Sequence, residues 1–108
     1  MMNMQSVLFE VAKERGRQDA KWGGPAHDDR HKTKEFAEFI DLRADRIRVF
    51  MHVNPEANGT TKLAYRGETP RSILIEIAAL AVAAVESIDR KQPNTGDETS
   101  RETQKDAP

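Results

Sequence analysis

In "ILIEIAALAVAAVESI", residues 73–88, apolar side chains and alanines fill nearly every position around a 3.6-residue turn. That pattern belongs to a helix enclosed by other helices, because a surface helix needs an apolar stripe on one side only. Thr69-Pro70 marks its start, with a hydroxyl to cap the first amides and a proline where no backbone donor is required. The helix is expected to run to about Arg90. Its apolar stretch Ile73–Val85 is thirteen residues with Glu76 inside, too short and too polar to cross a membrane.

Upstream, Ser6 is a candidate N-cap, and Val7, Leu8, Val11 and Ala12 recur at helical spacing opposite Glu10, Glu14, Arg17 and Lys21. A first helix is expected over 6–21, stopped by Gly23, Gly24 and Pro25. A second is expected from Thr33 as N-cap, with Phe36, Ile40, Ala44, Ile47 and Phe50 or Met51 on its apolar stripe, ending near Val53 before Asn54-Pro55. Residues 54–69 carry an Asn-Gly turn signal and are expected to form a loop. From Gln92 onward no large apolar residue remains, so 92–108 is expected to be a disordered tail on a single helical domain, 1–91. The fold class that follows is all-α. Three helices cannot cover the last one on every side, so the three-helix unit is expected to assemble into an oligomeric helical bundle, a homo-oligomer.

The chain is 108 residues with a formal net charge of -1, so no global basic excess favours specific nucleic-acid binding. It has no cysteine, which removes disulfides, thiolate metal sites and cysteine nucleophiles. The opening residues lack the basic and apolar regions of a secretory signal, and a cytoplasmic location is expected.

Chemistry concentrates in "ERGRQDAKWGGPAHDDRH", residues 14–31. Glu14, Arg15, Arg17, Gln18 and Lys21 read either as a solvated helix face with ion pairs or as a phosphate-binding stripe. Trp22 is a core anchor or a surface on which a nucleobase stacks. His27, Asp28, Asp29 and His31 are ligand types for zinc, manganese or iron, and equally ordinary turn and capping residues. On the second helix Glu35, Glu38, Asp41 and Asp45 share roughly one face with Arg43, Arg46 and Arg48 interleaved: a surface of ion pairs, or an acidic metal-binding face with arginines for phosphate. Glu76 stands in apolar surroundings and needs a cation, an arginine or a metal, to offset its burial. Glu86 and Asp89 share one side of the same helix near its exit.

The combination of Glu14-Arg15-Gly16-Arg17-Gln18, Trp22 and His27-Asp28-Asp29 with the closing "IEIAALAVAAVESIDR" resembles small phage and prophage proteins that open on ERxRQ, Trp and HDD. Some of these are described as MazG-like nucleotide pyrophosphohydrolases or dATP/dGTP diphosphohydrolases. The resemblance implies a helical oligomer that binds a nucleotide, with ExxE and ExxD motifs holding magnesium over a triphosphate. Glu35-Phe-Ala-Glu38 has the first form and Glu86-Ser-Ile-Asp89 the second. On that footing Glu35, Glu38 and Glu76 are the catalytic candidates and, with Asp89, the metal ligands. Glu14, Arg15, Arg17, Gln18, Lys21, Trp22, His27 and Asp28 are the nucleotide-binding candidates. Two alternatives are a non-catalytic sponge that sequesters a nucleotide-derived immune signal and a small helical oligomer acting through protein contacts.

Overall fold

The computed structural model describes residues 3–64 and 66–92. Helices α1 (Met4–Trp22), α2 (Pro25–Asp28), α3 (Thr33–Val53) and α4 (Pro70–Lys91) make up the fold, with no strand among the described residues. The chain is therefore all-helical, with one element more than expected. The expected tail lies, from residue 93 on, outside the described residues.

α4 is the spine: α1 and α3 each pack along it, and α2 packs against its C-terminal half. Thr69 caps it as expected, its Oγ1 accepting from the Ser72 amide at 3.0 Å while the Ser72 hydroxyl accepts from the Thr69 amide at 2.9 Å. The buried apolar residues are Val11 of α1, Phe36 of α3, and Ile73, Ala79, Leu80 and Ala83 of α4. The alanines let the flanking helices approach closely.

One side of α4 is left largely uncovered within one chain. Leu74, Val82 and Val85 are 55%, 40% and 56% exposed, and with Ala78 and Ala81 they form one continuous apolar face. No helix is long and apolar enough to cross a membrane among the described residues.

Three boundaries differ from the sequence reading. α1 begins earlier because Asn3, not Ser6, is its cap: Asn3 Oδ1 accepts from the Ser6 amide at 2.9 Å. α3 starts at Thr33 with Lys32 at the cap position, and Glu35 Oε1 accepts from the Lys32 amide at 2.8 Å. α2 was not foreseen. Gly23 and Gly24 both take positive φ, 103° and 70°, and the φ of Pro25 then suits the start of a new turn.

This short helix is held by contacts distant in sequence. Asp29 at its end accepts from the Ser87 hydroxyl at 2.9 Å and from Arg90 at 2.8 Å, and Lys91 Nζ donates to the His31 carbonyl at 2.7 Å. The Arg90 guanidinium, with Ser87 helping, holds the Asp29 carboxyl below the usual carboxylate range. Glu10, Glu14 and Glu35 are lowered as well, chiefly by bonds from Arg71, Arg17 and the Lys32 amide respectively. A carboxylate lowered in the folded state contributes stability above its unfolded value and loses it as pH falls through the folded one. Thermal melts should therefore show a midpoint that is flat near neutrality and drops below about pH 4.5, and Asp29→Asn should flatten part of that drop. An acid limb identical in wild type and variant would contradict this role for Asp29.

Candidate functional site

Because α1 and α3 both lean on α4, a cleft of about 640 Å³ opens between them with α4 as its floor. Among the described residues seven cations line it: Lys13, Arg17 and Lys21 from α1, Arg43 and Arg46 from α3, Arg66 from the connecting loop and Arg71 from α4. Four carboxylates face them, Glu10, Glu14, Glu68 and Glu76, leaving a local surplus of three positive charges in a chain whose net charge is -1.

Each of those carboxylates is tied to an arginine. Arg71 grips Glu10 through both nitrogens at 2.8 and 2.6 Å, and Arg17 grips Glu14 at 2.8 and 2.6 Å. Arg43 Nε meets Glu76 at 3.2 Å and Arg46 meets Glu68 at 3.2 Å. Such pairs are partly exposed and individually weak, so an incoming anion can compete for the same guanidinium groups.

A second, more enclosed pocket of about 350 Å³ adjoins the cleft, lined by Trp22, His27, Asp28, His31, Phe36, Phe39, Arg43 and Leu80. Trp22 and Arg43 border both spaces. Lys21 Nζ sits 5.3 Å from the centroid of the Trp22 ring, and Arg43 also donates to the Phe39 carbonyl at 3.1 Å. Phe36, Phe39 and His31 meet edge to face, with centroids 5.1 to 6.2 Å apart. The pocket is thus flat-walled and aromatic beside a basic cleft, dimensions and chemistry that suit a ring joined to an anion.

The sequence candidates divide between these spaces and elsewhere. Glu14, Arg17, Lys21, Trp22 and Glu76 line the cleft, and His27 and Asp28 line the aromatic pocket. Arg15 lies outside both. Its guanidinium donates to Asp19 and Glu86, each at 2.8 Å, and lies 3.7 Å from Asp28, joining α1, α2 and α4. Gln18 is buried beneath Glu14, to which its amide donates at 3.2 Å, so it supports the wall without facing the cleft.

Glu35 closes the first turn of α3, Glu38 and Asp89 are exposed, and Glu76 is engaged by Arg43. Among the described residues no group of three or more His, Asp or Glu side chains is placed to hold a metal ion. The four carboxylates expected to share magnesium thus do not fit one ion in this arrangement. No reaction step is assigned through them.

Lys13, Arg66, Arg71, Phe36 and Phe39 were not singled out as site residues by the sequence, and His31 only as a metal-ligand type, although Arg43 and Arg46 stood among the arginines suited to phosphate. Phe36 carried a legible signal only as a residue of the apolar stripe. No protein-family model matches the chain, and no curated protein or solved structure shows significant similarity to it.

Proposed function

We propose that the chain binds a phosphorylated nucleotide, with the phosphates in the basic cleft and the base in the adjoining aromatic pocket. The observation that carries this reading is the shared border: Trp22 and Arg43 line both spaces, so one ligand can reach from aromatic walls to a cluster of guanidinium groups. Arginine is suited to this because its planar fork meets phosphate oxygens in pairs. Phosphate would exchange places with Glu10, Glu14, Glu68 and Glu76 on their arginines, so affinity is expected to fall with added salt.

The pairing of every cleft carboxylate favours retention of the ligand over its hydrolysis, the sponge-like alternative of the sequence reading. A magnesium-dependent pyrophosphohydrolase is the competing proposal. Incubation with a cell nucleotide extract and magnesium, followed by mass spectrometry of what the protein releases, separates the two. An intact nucleotide that Arg71→Ala fails to retain supports binding alone, whereas recovery of a monophosphate and pyrophosphate supports turnover. Recovery of no nucleotide overturns both.

We further propose that the uncovered face of α4 pairs with a second copy. Leu74, Ala78, Ala81 and Val85 recur at spacings of four, three and four, a charge-free stripe with small residues at its centre that is complementary to itself across a two-fold axis. Light scattering should report an oligomer, converted to monomer by Leu74→Asp with helicity retained. A monomeric wild type would rule the pairing out.

A further inference from the structure

The segment His27–Glu35 lends His27 and His31 to the wall of the aromatic pocket, and the same two rings are also arranged in a way that base binding does not require. The Nε2 atoms of His27 and His31 face one another at 3.2 Å, with ring centroids 4.8 Å apart and planes at 73°. Two imidazole nitrogens bound to one tetrahedral zinc at 2.0–2.1 Å are separated by about 3.3 Å. The observed 3.2 Å is a hydrogen-bond contact between the rings and is also close to that spacing.

The surroundings match. His31 is fixed between the edges of Phe36 and Phe39, with centroids 5.9 and 5.1 Å away, so its ring is aimed before any ion arrives. Its other nitrogen, Nδ1, lies 3.6 Å from Glu35 Oε1. A carboxylate behind a histidine sets which ring nitrogen carries the proton and strengthens the one facing the metal. Both imidazoles line the 350 Å³ pocket, which leaves room for water, or for a ligand's oxygen, at the remaining coordination positions.

We propose that His27 and His31 bind a divalent first-row transition ion, zinc or nickel, through their Nε2 atoms, with Glu35 as the positioning residue behind His31. The ion would sit to one side of the line between the two Nε2 atoms, within bonding reach of both. Arg30 opposes the ion: its guanidinium lies 3.4 Å from His27 Nδ1, on the far side of the ring, and as an exposed side chain it can move away.

The experiment is calorimetric titration of the full chain with zinc chloride alone, without nucleotide, so its outcome is separate from that of the nucleotide reading. One ion per chain is expected. His27→Gln and His31→Gln should each weaken binding at least tenfold, and Glu35→Gln, which keeps an acceptor for the Lys32 amide, by about tenfold. Arg30→Ala should tighten binding, and His52→Gln, which removes the remaining histidine on the exposed side of α3, should leave it unchanged. Circular dichroism of each variant confirms that the helices persist. No heat of binding, equal affinity in the two histidine variants and wild type, or an Arg30→Ala affinity that fails to rise would overturn the proposal.

Discussion

Arg43→Ala is expected to abolish most nucleotide binding while leaving a folded, less stable protein. Arg43 borders both the basic cleft and the aromatic pocket, so in the proposed binding mode it would meet the ligand where phosphate and base join. A hydrogen bond to a charged group contributes about 1.5–3 kcal/mol, which corresponds to a loss in affinity of about ten- to a hundredfold. The same change leaves Glu76 without its arginine on a helix whose neighbouring positions are apolar. Its side chain is only 18% exposed, so a stability cost of about 1–3 kcal/mol accompanies the binding loss. Arg43→Lys restores charge without the planar fork and should recover stability more than affinity. Calorimetric titration and denaturant melts of the three proteins check both halves, and an Arg43→Ala variant that binds nucleotide as tightly as wild type would remove Arg43 from the site.

Ile73→Ala should produce the largest loss of stability. Ile73 has no exposed surface and lies on the covered side of the helix around which the others are arranged. Truncating a buried isoleucine to alanine costs about 2–5 kcal/mol, a substantial share of the 5–15 kcal/mol that a typical domain possesses. Its neighbour Leu74 lies about 100° further round the helix and is 55% exposed. Leu74→Ala should therefore cost well under about 1 kcal/mol under conditions where the chain is monomeric, and more where α4 pairs with another copy. Urea melts at two protein concentrations resolve the contrast, and equal losses at the two positions would mean that the burial pattern of α4 is wrong.

How much of this was legible in the sequence depends on whether the signal is local. The start of α4 at Thr69-Pro70 and the end of α3 at Val53 follow from capping and proline chemistry confined to a few residues, and both stand where expected. At the start of α1, Asn3 and Ser6 are both good caps, and sequence pattern alone could not choose between them. α2 was missed because four residues form a stable turn only with outside support, here from Ser87, Arg90 and Lys91 about sixty positions away. Arg15 and Arg17 look equivalent in a charged helix, yet two residues on a helix lie about 200° apart. One therefore enters the cleft while the other joins Asp19 and Glu86. The Glu10–Arg71 and Glu76–Arg43 pairs span 61 and 33 positions and have no periodic signature, which is why the cleft emerged only from the packing of α1 and α3 on α4.

The only tryptophan in the chain is Trp22, which stands at the junction of the two spaces and so reports on the site directly. Its fluorescence can be followed during titration with a panel of nucleoside triphosphates, the matching nucleosides and inorganic tripolyphosphate. A saturable change is expected with at least one nucleotide, at concentrations where its nucleoside and tripolyphosphate, each filling half of the site, produce much weaker responses. Addition of salt should reverse it. Unchanged fluorescence across the panel, confirmed by the absence of heat in calorimetry, would contradict nucleotide binding at this junction.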